Sequence, residues 1–186
     1  MNKKINEKLK KIKAIAFDSD GVLFTGRVFV SQNGEAMKER SHVDGHGISM
    51  LRSIGIKIAF ITGEKSKFLE VICNKLNSLP SVESGKWDKI AFFLDQQGEK
   101  KVEAINEWLS QNNIGWQECA AMGDDLADYP LLKKAGVAVA PCQAEKIIKN
   151  IAHYITKRKG GDGAIRDFCD LILEARGIDP VSLKLR

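Results

Sequence analysis

The run Lys13-Ala14-Ile15-Ala16-Phe17-Asp18-Ser19-Asp20-Gly21-Val22 decides how this chain is read. It is apolar without interruption from Ala14 to Phe17 and stops at two aspartates and a glycine. A short apolar run closed by turn residues is the pattern of a strand buried on both faces. The same punctuation recurs downstream: Lys57 to Ile61 stops at Thr62-Gly63, Glu118 to Met122 stops at Gly123-Asp124-Asp125, and Val137 to Ala140 makes a fourth run. Segments with helical spacing lie between these strands. They are Gly47 to Ile54, ended by Gly55; Ser66 to Leu76, with Phe68, Leu69, Ile72 and Leu76 on one face; Lys101 to Gln111, with Val102, Ile105, Trp108 and Leu109 inward; Leu126 to Ala135; Ala144 to Ile151; and Gly163 to Arg176. One more short strand is expected between Leu79 and Leu94. Val28 to Val30 and Glu35 to Glu39 flank Gln32-Asn33-Gly34, and Asn-Gly accepts the positive φ of a tight turn, so a β-hairpin is expected. Strands alternating with helices predict an α/β fold with a mostly parallel sheet and helices on both faces.

Composition narrows the function. The 186 residues suit one domain, expected over 1–186 with a hairpin at about 24–40 and an exposed tail at about 177–186. With 44% hydrophobic and 28% charged residues, wholesale disorder is excluded. No apolar run approaches the ~20 residues of a membrane span, and the basic start is not followed by the apolar segment of a secretory signal. The net charge of +5 sits largely in the first residues, MNKKINEKLKKIK, which reads as a solvated amphipathic lead-in. No aromatics are interleaved there, so neither a nucleic acid nor a membrane is an expected partner; a mild positive field suits an anionic small molecule instead. Cys73, Cys119, Cys142 and Cys169 are far apart and form no C-x-x-C, which fits a reducing, cytoplasmic compartment.

In an open α/β sheet, ligands bind outside the carboxyl ends of the strands. The residues that end the apolar runs are therefore the candidates: Asp18, Ser19, Asp20 and Gly21; Thr62 and Gly63; Gly123, Asp124 and Asp125; and the pair Lys100-Lys101, which opens a helix between the second and third strands. Carboxylates meeting at one edge repel each other unless a cation joins them, and Mg²⁺ suits hard oxygen ligands. An ionised aspartate beside a metal can attack phosphorus, and a second carboxyl two residues on can protonate the leaving oxygen and then activate water. A hydroxyl and an ammonium can hold phosphoryl oxygens as charge moves in the transition state.

These residues resemble the haloacid dehalogenase (HAD) phosphatase superfamily. Its first motif matches Asp18-Ser19-Asp20-Gly21-Val22, its second Thr62, its third Lys101 or Lys100, and its fourth Gly123-Asp124-Asp125-Leu126-Ala127-Asp128. The resemblance spans about Lys13 to Arg176 and implies a HAD-like Rossmannoid three-layer sandwich. A narrower similarity, carried by Asp20 to Ile48 and by Gly160-Gly161-Asp162-Gly163-Ala164-Ile165-Arg166, is to capless phosphatases of 3-deoxy-2-ketoaldonate phosphates. That group includes the 3-deoxy-manno-octulosonate (KDO) 8-phosphate and the nonulosonate (KDN) 9-phosphate phosphatases. The stretch from Lys100 to Asp125 is also similar to the phosphatase-like module of CMP-sialic acid synthetases and favours Lys101 over Lys100. The spacings independently leave no room for a cap domain between the motifs.

The resemblance implies a Mg²⁺-dependent phosphomonoesterase in which Asp18 is the nucleophile and Asp20 the general acid and base. Thr62 and Lys101 hold the phosphoryl group. Asp18, the carbonyl of Asp20 and Asp124 bind the metal, and Asp128 braces the loop. It also implies a homotetramer in which hairpins pack together and neighbours cover each open site. Gly63, Glu64, Lys75 and Asp125 become candidate substrate residues. The sequence departs from the KDO 8-phosphate pattern, which has arginines where Glu64, Ser49 and Ile72 stand. Ile61-Thr62-Gly63-Glu64-Lys65 follows the nonulosonate version, and Asp162 and Lys75 have counterparts there, which favours a nine-carbon substrate; His42 and His46 follow neither pattern closely. The competing reading is a catalytically weak oligomerisation or binding module, against which the intact Asp20 and Gly-Asp-Asp argue.

Overall fold

The computed structural model describes residues 3–65, 67–183 and 185. The chain opens with α1 (Lys3–Lys10) and enters the sheet at β1 (Ala14–Asp18). The hairpin of β2 (Val28–Ser31) and β3 (Gly34–Lys38) follows, then α2 (His42–Ser53), β4 (Lys57–Ile61) and α3 (Lys67–Asn77). A short α4 (Pro80–Glu83) precedes β5 (Ala91–Phe93), and α5 (Glu99–Gln111) leads to β6 (Cys119–Met122). Then come α6 (Tyr129–Lys134), β7 (Val137–Ala140), α7 (Lys146–Ile151), β8 (Tyr154–Ile155) and α8 (Ala164–Ala175).

The main sheet runs β5-β4-β1-β6-β7-β8, and each neighbouring pair is parallel. The chain leaves β1 toward β4 on one side and β6 on the other. The carboxyl end of β1 is therefore the point where strand order reverses and a crevice opens.

Alternation along the strands builds two unlike cores. Ile15, Phe17, Ile58, Phe60, Met122 and Val139 face α1, α2, α3 and α8, whose Leu9, Ile48, Leu51, Leu69 and Phe168 pack on them. Ala14, Ala16, Ala59, Ala121 and Ala138 face the other way, and these small residues let α5, α6 and α7 approach with Ile105, Leu109, Leu131 and Ile148. The result is the expected three-layer sandwich.

The structure departs from expectation in five places. First, α2 begins at His42, not Gly47, because Ser41 caps it by accepting the Val43 N–H (3.2 Å). Gly45 and Gly47 hide this start by lowering helix propensity. Gly47 is there for proximity: a Cβ would lie 3.1 Å from Cys169 Sγ and 3.2 Å from Arg166 Cα on α8. Second, the helix expected over Leu126 to Ala135 is broken. Leu126–Asp128 forms one tight turn, and Pro130 starts α6 afresh. Third, the lead-in is not merely solvated, since α1 buries Leu9 and Ile12 follows it into the core. Fourth, the last residues are not simply a tail: Ile178, Leu183 and Leu185 pack on the core, while Val181 is exposed. Fifth, β8, too short to carry a pattern, was not expected. The segment from Leu79 to Leu94 holds α4 as well as the expected strand β5. The helix start expected at Ser66 lies outside the described residues.

Candidate active site

Parallel register brings three strand ends to one edge. Asp18 pairs with Ile61, so Thr62 follows beside it, and Phe17 pairs with Met122, so Gly123 and Asp124 follow on the other side. From α5, Lys101 reaches in and donates from Nζ to Asp18 Oδ1 and to Asp128 Oδ1, the latter at 2.6 Å. Asp18, Thr62, Lys101 and Asp128 are all buried. Lys100 is exposed, so Lys101 is the lysine that the fold brings to the edge.

Asp128 is committed on both oxygens. Oδ2 accepts the N–H groups of Asp124 (2.9 Å) and Asp125 (3.3 Å), while Oδ1 holds Lys101. It folds the Gly123–Asp128 loop around itself. Thr62 Oγ1 accepts the Glu64 N–H (3.1 Å), and the Thr62 N–H donates to Phe93 O (3.0 Å).

One ammonium does not balance these carboxylates. Burial raises the Asp18 pKa well above its ordinary value, and Asp128 and Asp124 add to this against the opposing pull of Lys101. Asp124 is pushed up to about 7 by burial and then by the charges of Asp128 and Asp125. Burial by itself would lower the Lys101 pKa, but Asp18 and Asp128 outweigh it and hold the group above its usual value. Asp18, Asp124 and Asp128 can each present a carboxylate oxygen so that all lie within 4.8 Å of one another. An all-oxygen, over-negative donor set of this kind fits a hard divalent cation.

Gly21 allows the loop after β1 to close under this cluster. Its φ is +81°, and a Cβ there would overlap the Asp124 carboxylate. Asp124 thus lies directly over the Asp20–Gly21 turn. The Asp20 side chain takes Lys38 Nζ at 2.8 Å. Lys38 comes from β3 of the hairpin, and its side chain is only 2% exposed. Burial acts to lower its pKa, but Asp20 and Glu35 more than offset that, so it stands above its usual value. Gln143 Nε2 donates to Gly21 O at 2.7 Å, and its Oε1 accepts the Gly160 N–H at 2.9 Å, tying the β1 loop to the Gly160–Gly163 loop. Asp44, buried in the first turn of α2, accepts the N–H groups of Gly163 (3.0 Å) and Arg166 (2.9 Å) and fixes the far end of that loop.

Lys38, Gln143 and Asp44 were missed from sequence. The signal for Lys38 was slight: it is a basic residue at a strand position beside a pair of aspartates. Among the candidate substrate residues, Gly63 packs under the Gln97 side chain. Glu64 is exposed at the rim, and Asp125 is exposed with its Oδ1 accepting the Leu126 N–H (2.6 Å). Lys75 is not brought to this edge. It sits exposed in the last turn of α3, where Arg52 Nη1 bonds Leu76 O (3.0 Å) near the start of β4. A crossover helix runs antiparallel to its strands, so its C-terminus lies at the opposite edge of the sheet. Ser49 is half-buried on α2, and His42 and His46 are exposed there.

A family model for haloacid dehalogenase-like hydrolases matches residues 3–167. The chain belongs to that family. Among curated relatives of this HAD-like hydrolase is the 3-deoxy-D-manno-octulosonate 8-phosphate phosphatase KdsC of Escherichia coli K12, 34% identical over 91% of this chain and 84% of that protein. The crystal structure of the 3-deoxy-D-manno-octulosonate 8-phosphate phosphatase from Yersinia pestis superposes with a TM-score of 0.84 at 32% identity, covering 95% of this chain and 89% of the other. The corresponding enzyme from Moraxella catarrhalis, solved with a magnesium ion, a phosphate ion and KDO, gives a TM-score of 0.84 at 29% identity over 95% of this chain and 94% of that one.

Proposed function

We propose that this HAD-like hydrolase is a Mg²⁺-dependent phosphatase that hydrolyses the phosphomonoester of a 3-deoxy-2-keto sugar acid, with KDO 8-phosphate as its substrate. The observation that carries the reading is the constellation of buried Asp18, Lys101 and Asp128 with half-buried Asp124 at the carboxyl end of β1, and Asp20 two residues on. The substrate follows from the relatives, which are named for KDO 8-phosphate across nearly the whole chain.

In this mechanism the Asp18 carboxylate forms a bond to phosphorus as the ester P–O bond breaks, giving an aspartyl-phosphate. Asp20 donates its proton to the departing sugar oxygen and then takes one from the water that cleaves the acyl-phosphate, regenerating Asp18 and releasing phosphate. Lys101 and the Thr62 hydroxyl stabilise charge on the phosphoryl oxygens, a contribution worth about 10²–10³ in rate per preorganised donor. Lys38, from the hairpin, holds the Asp20 side chain. Asp18, Asp124 and the main-chain carbonyl of Asp20 would hold Mg²⁺, while Asp128, with both oxygens engaged, positions Lys101 and the loop. The ion supplies positive charge for an otherwise over-negative site and for the incoming phosphate dianion.

A homotetramer completes the reading. Phe29 and Met37 face each other across the hairpin and are each 58% exposed. Two large apolar side chains paired on one face of a two-stranded ribbon suit packing against other copies. Lys75 and the neighbouring surface of α3 would then reach a site only from another subunit.

Glu64 favours the second reading, a nonulosonate 9-phosphate substrate, because an arginine is the expected KDO-type residue there. Phosphate release with Mg²⁺ from KDO 8-phosphate and KDN 9-phosphate, compared by kcat/KM, decides between them. A tenfold preference corresponds to ~1.4 kcal/mol of transition-state binding. A preference of that size for KDN 9-phosphate overturns the KDO reading, and no release from either overturns the substrate class.

A further inference from the structure

The hairpin adds nothing to either apolar core, since no residue of β2 or β3 belongs to them. Phe29, Val30 and Met37 stand exposed along it. Lys38, at the end of β3, nevertheless has a side chain only 2% exposed. Lysine is almost never buried unless its charge is paired. Here it is paired twice, with Asp20 Oδ1 at 2.8 Å and with Glu35 Oε2 at 3.5 Å, and the ammonium lies 6.0 Å from the centre of the Phe68 ring on α3. The lysine is therefore ordered before any substrate arrives, and no further side-chain entropy is lost in holding its partner.

The main chain fixes the same relationship. The N–H groups of Leu23 and Phe24 both donate to Ser19 O at 2.9 Å, which curls the loop after β1 back on itself. The Thr25 N–H then donates to the carbonyl of Glu39, the residue after Lys38, at 3.0 Å. Backbone and side chain of the return strand thus both meet the short loop from Ser19 to Thr25. The contact divides the Asp20 carboxyl. Oδ1 accepts from Lys38, whereas Oδ2 has no hydrogen-bond partner among the described residues. The Asp20 side chain is 30% exposed, so it stays open to solvent. A carboxyl with one oxygen clamped and the other open is held in one rotamer and presents a single working atom.

We infer that Lys38 is a positioning residue for leaving-group protonation: by clamping Oδ1 it aims Oδ2 of Asp20 at the ester oxygen. Oδ2 gives its proton to that oxygen as the P–O bond breaks. It takes a proton from water as the aspartyl-phosphate is cleaved, which returns the carboxyl to its starting state. Without the clamp Asp20 moves among its staggered rotamers, and misplacing a reacting group by about 1 Å costs on the order of 10²-fold in rate. The hairpin is then more than a surface for other copies, because its buried lysine sets the geometry of the acid. The inference rests on the phosphatase reading and adds the residue that orients its proton donor.

The test is a ratio of specificities for two esters that differ in their leaving group: kcat/KM for phenyl phosphate over kcat/KM for p-nitrophenyl phosphate. The nitrophenolate departs as a stabilised anion and needs little help from an acid, whereas the phenolate needs more. Both are measured with Mg²⁺, with folding of each variant checked by circular dichroism. Lys38→Met is expected to lower the ratio about 5- to 20-fold, chiefly through kcat for phenyl phosphate, with Lys38→Arg recovering part. Asp20→Asn is expected to lower the ratio as well, and adding Lys38→Met to it is expected to change the ratio by less than about twofold, since the lysine acts through Asp20. A ratio in Lys38→Met within about twofold of wild type overturns the inference, because a lysine that only anchors the hairpin depresses both esters alike. Losses that multiply in full in the double variant overturn it too. Should Lys38→Met fail to fold, Lys38→Gln, whose shorter side chain brings no charge to Asp20, is held to the same limits. Wild type that hydrolyses neither ester overturns the phosphatase reading and the inference with it, whereas hydrolysis with an unchanged ratio overturns the inference alone.

Discussion

Replacing Lys101 with methionine removes the one ammonium set among the buried carboxylates and keeps most of the side-chain volume. Lys101 Nζ contacts Asp18 and Asp128, and the three side chains are 3%, 8% and 2% exposed, respectively for Lys101, Asp18 and Asp128. At 2.6 Å from Asp128 and an effective dielectric near 20, the gross attraction is about 6 kcal/mol, much of it offset by desolvation. Removing one partner of a buried pair leaves the other charge uncompensated and costs about 3–5 kcal/mol. That is a fifth or more of the 5–15 kcal/mol that roughly holds a domain together, and at about 2–4 °C per kcal/mol for a chain of this size it lowers Tm by about 6–20 °C. Urea and thermal denaturation of Lys101→Met, Asp128→Asn and the double variant measure it, with and without Mg²⁺. Because the lost charge is positive, Mg²⁺ is expected to recover more stability in Lys101→Met than in wild type. The double variant is expected to be less destabilised than the sum of the singles by about 1–3 kcal/mol. Phosphatase activity of Lys101→Met is expected to fall by about 10²–10³ or more. Additivity to within about 0.5 kcal/mol, or a single-variant loss below about 1 kcal/mol, would refute the argument that Lys101 is the site's compensating charge.

Three further outcomes are expected. Gly21→Ala places a Cβ into the Asp124 carboxylate at a positive φ, so Mg²⁺ affinity measured by calorimetry should drop sharply with activity, while the same change at Gly177, where nothing lies within 4 Å, should leave Mg²⁺ affinity unaltered; equal effects would refute the reading. Burial and the charges of Asp128 and Asp125 push the folded Asp124 pKa up to about 7, above its ordinary 3.8, so the folded metal-free protein binds a proton the unfolded chain releases; its contribution to stability is present below 3.8 and is lost as pH rises through 7. Between pH 5 and about 8, metal-free wild type should therefore lose Tm relative to Asp124→Asn, Mg²⁺ affinity should rise with pH up to about 7, and a pH-independent difference between the two proteins would contradict this. Phe29→Lys on the exposed hairpin face should reduce the solution mass measured by light scattering below that of a tetramer without unfolding the protein; an unchanged mass would remove the hairpin from the interface.

Much of the candidate site was legible because its residues sit where apolar runs stop. Asp18, Thr62 and Asp124 each close a buried strand, and a parallel sheet gathers strand ends at one edge whatever the loops do. Position alone left Lys101 as one of a pair, and the family resemblance favoured it over Lys100; a helix turns by about 100° per residue, and packing settles which of two adjacent lysines points inward. Lys38, Gln143 and Asp44 were not legible. Each acts through a contact with a residue distant in sequence, and none interrupts a pattern. The broken helix after Asp125 was hidden for a related reason. Asp128 turns back to accept the amides of Asp124 and Asp125, so a side-chain contact overrode a helical spacing.

By itself, the order of amino acids determined the alternation of strands and helices, the parallel sheet, the hairpin and the family, because these follow from local periodicity, turn chemistry and motif spacing. Tertiary structure decided which charges meet. It turned Lys101 rather than Lys100 inward, committed one oxygen of Asp128 to Lys101 and the other to the loop, sent Asp20 to Lys38, and carried Lys75 to the far edge. Electrostatics and hydrogen bonding act over a few ångströms of space, and only the folded chain sets those distances.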